Sequence, residues 1–241
     1  MSKLTSRFLA AGCPLARAKE FLNVVHPPLL TQPDDKLLAD VFNVPGLHCM
    51  TGVVGKLIDE IEKSFPDNKN SRAGTSFVDQ FLRDNNIHRA EYQGSHSFEG
   101  NHARKLLRDI TKMRTEAQKL SEETKKRILM IISTLEAFNS VVESCFGVNL
   151  EGDYKEAIRN FSDLYLTLHK TFKVSITVKV HIVMEHVLQQ IERKHPGFGI
   201  GSMTEQAFES AHHEFKLEWL KAKVDMSHPD YGQRLFDTVV R

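Results

Sequence analysis

Over residues 121–147 the side chains Ile128, Leu129, Ile131, Ile132, Leu135, Phe138, Val141, Val142 and Phe146 run almost all the way round a helical surface. A helix with one apolar stripe can lie at a protein surface, but one that is apolar on most sides must be covered by neighbours. The segment therefore predicts a long, central, buried helix, started near Ser121 and stopped by Gly147. The rest of the chain has to supply elements that pack around it.

Helical spacing recurs on both sides of this segment. Leu47, Met50, Val53, Val54, Leu57, Ile58 and Ile61 repeat at three and four, which predicts a strong amphipathic helix that stops by Pro66. A polar loop over 66–74 leads to a helix near 75–85, with Phe77, Val78, Phe81 and Leu82 inward, closed by Asn85 and Asn86. The stretch 92–96 reads as irregular. From Ser97, the positions Phe98, Ala103, Leu106, Leu107, Ile110 and Met113 predict another helix. Asp153 and Glu156 form a capping pair for the next, whose inward residues are Ile158, Phe161, Leu164, Tyr165 and Leu168.

Residues 174–182 carry two periodicities at once. Val174, Ile176, Val178, Val180 and Ile182 alternate like a strand, while Val180, Val183, Met184, Val187, Leu188 and Ile191 fit a helix. Thr177 is a competent cap, so a short extended piece followed by a helix from about 177 is the expectation. Helices are also expected over 203–224 and from about 229, with Ser227 as cap and Pro229 in the first turn. At the other end, 3–23 has helical spacing interrupted by Gly12 and Pro14, and a short helix over 34–42 is followed by the Pro45-Gly46 turn. The expected fold class is mainly α, a multi-helix globular bundle with little or no β. It divides into an N-terminal helical and extended segment, 1–46, and one helical domain, 47–241.

Composition excludes some functions and leaves others open. With 241 residues, 41% apolar, 26% charged and a formal charge of +1, the chain reads as ordinary globular protein with no global drive toward nucleic acid. Cys13, Cys49 and Cys145 are odd in number and far apart, which argues against a disulfide framework and suits a reducing, intracellular setting, nucleus or cytoplasm. No unbroken apolar run reaches the roughly 18 residues of a membrane span, so no membrane partner is expected.

Three places could carry chemistry. The segment 199–215 runs from glycines into a helix with Glu205 and Glu209 one turn apart and His212 and His213 on the next. Ser202 to Glu205 is also a capping box, a role that needs no function. The Gly197, Gly199, Gly201 series follows no expected strand and so does not read as a dinucleotide loop. A second place is the basic run Arg104, Lys105, Arg108, Lys112, Arg114, Lys119, Lys125, Lys126 and Arg127, which could lie along a phosphate backbone or be a solvated face. The third, His181 to His186, has one residue too many for a His-x-x-Glu-His zinc motif. On a regular helix, imidazoles five apart lie about 140° apart, which predicts polar-face histidines, not a shared metal site.

Four stretches taken in order carry a resemblance. They are Leu47-His48-Cys49-Met50-Thr51-Gly52-Val53-Val54, Phe98 to Leu107, Lys179-Val180-His181 with Glu185-His186, and Glu205 to His212. Over roughly 25–241 the chain resembles the C-terminal half of transposon-derived proteins of the cut-and-paste DNA transposase superfamily, whose catalytic core is RNase H-like. The resemblance implies that 75–170 is a helical insertion whose basic helix faces DNA, with Arg104, Lys105, Arg108 and Lys112 as contacts. It implies that 175–241 holds C-terminal helices with an acidic site, Glu205 being the metal-binding carboxylate, Glu209 second and His212 its neighbour. In such enzymes three carboxylates hold two divalent metals, Mg2+ or Mn2+. The two aspartates of such a core belong to strands upstream of the matched region. The expectation is thus a domesticated or truncated protein without complete nuclease chemistry, binding DNA, a protein partner or a second copy of itself. The alternatives are a helical interaction module with no nucleic-acid role and a residual metal-dependent nuclease.

Overall fold

A helix apolar on most sides needs partners on most sides, and the chain provides them in sequence order. The structure is a computed structural model and describes residues 43–65, 73–92, 95–194, 196–203, 217, 220 and 227–240. Asn43–Arg241 forms one compact unit. Its elements are α1 (Gly46–Glu62), α2 (Ala73–Asp84), the strands β1 (Ala90–Tyr92) and β2 (Ser95–Ser97), α3 (Gly100–Ala117), α4 (Glu122–Cys145) and α5 (Tyr154–Phe172). A composite helix α6 follows, α-helical over Val178–His181, π-helical over Ile182–His186 and α-helical again over Val187–Lys194. A 3-10 turn at Ile200–Met203 and α7 (Tyr231–Val240) complete it. The architecture is an all-α bundle of about seven helices, with β1 and β2 forming only a short antiparallel ribbon.

The central rod is α4. Ile128, Ile131, Ile132, Leu135, Phe138, Val141, Val142 and Cys145 are all buried on it, and so are Thr124, Thr134, Ala137 and Ser144. It packs most extensively on α5, next on α3, and also on α1. Phe138 stacks against Phe161 of α5 with ring centroids 5.1 Å apart, and against Phe146 at 6.0 Å. Among the described helices α4 alone has the length and hydropathy to cross a membrane, and most of that surface is covered by its neighbours.

Local signals explain the ends around α5 and α6. The Asp153 carboxylate accepts from the Glu156 backbone N–H at 3.0 Å, which caps α5. Thr177 caps α6, its hydroxyl accepting from Val180 N at 3.3 Å, so helix wins over strand from 178 onward. Lys173, in the left-handed region at φ 58°, turns the chain between α5 and α6. Tyr165 donates its hydroxyl to the Ser175 carbonyl at 3.0 Å and holds that connection down.

Three boundaries depart from expectation. The stretch expected to be irregular at 92–96 contributes to the β1–β2 ribbon, in which Ala90 pairs with Ser97 and Tyr92 with Ser95. Phe98 is buried but precedes the helix, because Glu99 is extended (ψ 156°) and α3 starts at Gly100. The last helix begins at Tyr231, two residues later than expected, since the Asp230 carbonyl takes the first helical bond, from Arg234 N. The helices expected over 3–23 and 34–42 lie outside the described residues. So does most of 203–224, where Leu217 and Leu220 are helical and exposed.

One buried carboxylate ties three helices together. Glu60 lies on the inner face of α1 and accepts from Lys56 at 2.8 Å, Lys63 at 3.3 Å and, across the interface, Arg127 of α4 at 2.8 Å. The Arg127 guanidinium in turn sits over the Phe172 ring of α5, 5.6 Å from its centroid. Burial pushes the Glu60 carboxyl up, but the hydrogen bonds and charges of Lys56 and Lys63 outweigh it, so its pKa lies below the ordinary carboxylate value. Burial, reinforced by the Glu60 charge, pushes the Tyr165 phenol up.

The glycine segment also has a structural role. Gly199 N–H donates to the Val148 carbonyl and Gly201 N–H to the Gly147 carbonyl, both at 2.9 Å, which docks the 3-10 turn on the end of α4. A β-carbon at Gly199 would stand 2.3 Å from the Gly147 oxygen, and one at Gly201 2.6 Å from the same atom.

Gly199→Ala and Gly201→Ala are each expected to lower stability by roughly 2 kcal/mol in urea denaturation. Gly55→Ala, in the interior of α1 with nothing within 4 Å of the added carbon, is expected to raise it by about 0.5 kcal/mol. Glu60→Gln is expected to cost about 2 kcal/mol at neutral pH, since it removes charge-assisted bonds. With its folded pKa depressed, Glu60 contributes fully above the unfolded carboxylate range, and that contribution is lost as pH falls through the folded value. Denaturation midpoints followed from neutral to acidic pH should therefore fall less steeply in Glu60→Gln than in the parent.

Candidate functional site

The basic run from Arg104 to Arg127 separates into cations that are neutralised within the fold and a few that are not. Arg114 of α3 pairs with Glu136 of α4 at 2.5 Å and also donates to Ser133. Lys119 pairs with Glu116 at 2.6 Å, Lys125 with Glu122, and Arg127 with Glu60. These are helix-surface pairs one turn apart or interhelical clamps, and they serve the bundle. Arg104, Lys105, Arg108 and Lys126 form no ion pair among the described residues.

The four expected DNA contacts all lie on α3, but they are not equivalent. Lys105 donates to the Asn86 carbonyl at 3.3 Å. Lys112 pairs with Asp109 at 2.6 Å and donates to the Asn85 side chain at 3.2 Å. Asn85 and Asn86 close the C-terminus of α2, where the helix dipole favours a cation, so both lysines complement that end. Arg104 and Arg108, four residues apart and so on one face, have no acidic partner among the described residues. The four side chains are therefore brought together, two with structural duties and two without.

The same region is held by Arg89, which sequence reasoning passed over. It pairs with Glu62 of α1 and, at 3.3 Å, with Asp79 of α2, and its guanidinium lies 5.7 Å from the Phe98 ring centroid. A single cation thus joins α1, α2 and the segment entering α3. Next to it His88 and His102 meet edge to face with centroids 5.1 Å apart, and the His88 N–H donates to His102 Nδ1 at 3.3 Å.

Three of the four stretches that carried the resemblance converge on the start of α1. A β-carbon on Gly52 would fall 2.0 Å from Cδ of Lys179, so the lysine stem of α6 lies directly across that helix. A β-carbon on Gly100 would fall 2.6 Å from Cδ1 of Leu47, which places the start of α3 against the first turn of the same helix. The fourth stretch lies outside the described residues, and with it Glu205, Glu209 and His212. Of the expected capping box, Ser202 sits within the 3-10 turn and donates its hydroxyl to the Gly199 carbonyl at 2.7 Å. Among the described residues no three histidine, cysteine, aspartate or glutamate side chains gather as a metal site would require.

Two further groups are settled by geometry. Cys49 and Cys145 are buried thiols in no disulfide, and burial pushes Cys145 up to about 12, which disfavours the thiolate that a nucleophile would need. His181 and His186 are exposed, as expected of polar-face histidines, but they are not separated as regular helical spacing predicts. The backbone between them is π-helical, with Val187 N–H bonded to the Ile182 carbonyl five residues back, and it brings the two imidazoles to 5.1 Å between centroids. No family model matches the chain, and no curated protein matches it.

Proposed function

We propose that this chain is a transposase-derived helical binding module that contacts the sugar-phosphate backbone of nucleic acid through α3. The observation that carries the reading is the pair Arg104 and Arg108, one turn apart on one helix. Neither has an acidic partner among the described residues, whereas Lys112, Arg114, Lys119, Lys125 and Arg127 each do. Uncommitted guanidiniums at helical spacing suit phosphate oxygens because each can offer two parallel N–H donors. Lys105 and Lys112, anchored on the end of α2, would add charge at the edge of such a contact. The transposase origin is supported by the order of the four stretches and by the meeting of three of them at α1. The helices around α3 correspond to the insertion region of that comparison.

Contact with a protein partner is a second reading, favoured by a specific feature. Val148 and Phe198, at the Asn149–Phe198 bridge, are 57% and 51% exposed, an apolar spot beside the end of α4. It would take an apolar side chain of a partner and is independent of α3.

The two readings separate in a titration of fluorescent duplex DNA at several salt concentrations. Under the nucleic-acid reading the parent binds, and log K falls with log salt at a slope of about −2 to −4, the signature of a few phosphate contacts. Arg104→Glu with Arg108→Glu should weaken binding at least tenfold and reduce the slope by about two. Lys119→Glu, which replaces a cation already paired with Glu116, should change affinity less than the double arginine variant does. Absent binding at low salt, or equal affinity in parent and double variant, would overturn the reading.

A further inference from the structure

The π turn in α6 is a register device, and its product is a pair of imidazoles. On an uninterrupted α-helix, residues five apart diverge by about 140°. Closing the backbone bond five residues back instead of four, as Val187 to Ile182 does, brings positions 181 and 186 onto one face. Both histidines are solvent-exposed, their ring centroids are 5.1 Å apart and their planes stand at 86°. With metal–nitrogen bonds of about 2.1 Å, two imidazoles on one tetrahedral ion have centroids about 5 Å apart. The separation already present is thus the one a shared ion requires. Turning a ring about its Cβ–Cγ bond, a soft torsion, can aim its nitrogen at the common point without moving the backbone.

We propose that His181 and His186 form a two-histidine site for a divalent transition-metal ion, with water in the remaining positions. Imidazole ligands select borderline ions, and the general order of affinities places Cu2+ above Zn2+ and Ni2+. No third histidine, cysteine or carboxylate joins them among the described residues, so the site keeps open positions for water or for a ligand from outside. The other edge-to-face pair, His88 and His102, differs in the feature that matters. There His102 Nδ1 accepts a backbone N–H, which ties that ring to the chain at 88. Neither His181 nor His186 has such an anchor among the described residues, and the helix keeps Val180, Val183 and Val187 buried on its other side.

The test is a Zn2+ titration of the full chain followed by histidine ring-proton NMR, with Cu2+ affinities measured by calorimetry. Parent, His181→Asn, His186→Asn and the double variant are compared. Both side chains are exposed, so the variants should keep the parent's metal-free thermal midpoint. The proposal expects the His181 and His186 resonances to respond together with one common affinity. It expects each single substitution to weaken that site tenfold or more, with the double variant no worse than either single. His88→Asn should leave it unchanged. If the two resonances saturate at different metal concentrations, or if each single substitution weakens binding less than tenfold, the rings are independent surface histidines in edge contact and the proposal is wrong.

Discussion

The bundle depends on a carboxylate placed where an apolar residue would be expected. Glu60 occupies the stripe that includes Leu57 and Ile61 on α1, and its burial is tolerable only because three cations reach it. Two of them are local, one turn away on the same helix, and would be present in any conformation in which α1 forms. Arg127 is different, because it comes from α4 and arrives only when α1 and α4 are correctly paired. A buried ion pair adds little net stability over a well-packed apolar pair, but breaking it leaves an uncompensated charge. Glu60 and Arg127 therefore act chiefly on register, penalising arrangements of α1 and α4 that leave either unpaired. With Arg127 lying over Phe172, the same penalty extends to α5.

A common logic applies to Arg89 and to the α3 lysines. Each links the end of one element to the side of another, so charged side chains help set how α1, α2 and α3 meet, as Arg114 and Glu136 do for α3 and α4. This pairing explains why a long basic run can contain so few cations free for other uses. Counting charges over 104–127 suggests nine free cations, whereas among the described residues the pairing leaves four without an acidic partner, Arg104, Lys105, Arg108 and Lys126. Counts overstate a binding surface whenever acids lie one turn away or on the facing helix.

How much could be seen beforehand follows the range of the interaction that decides each feature. The apolar circumference of α4, the Asp153 and Thr177 caps and the amphipathic stripe of α1 depend on residues within one or two turns, and they were legible. The strand periodicity over 174–182 competed with the helix pattern and lost from Thr177 onward, because a cap commits the backbone before alternation can be used by a neighbouring strand. The β1–β2 ribbon was missed because six residues with no apolar alternation give it no periodic signal. Glu60 and Arg89 were passed over because their partners are up to 67 positions away. An acid interrupting an apolar stripe, with lysines at i−4 and i+3, was the available hint of a buried ion cluster.

The histidine pair shows a different limit. Helical-wheel reasoning assumes one residue every 100°, and under that assumption His181 and His186 are rightly separated. The assumption fails at a π turn, where one extra residue is accommodated without ending the helix, and nothing in the composition of 182–186 announces it. The consequence runs further than one pair. On either side of the turn, Val180, Val183, Val187 and Ile191 still keep spacings of three and four, so the buried stripe is continuous and the packing gives no sign of the insertion. The π turn changes which exposed side chains share a face, bringing His181 and His186 together while Val180, Val183 and Val187 stay buried, and such turns are frequent at functional sites, which fits an irregularity read out by binding.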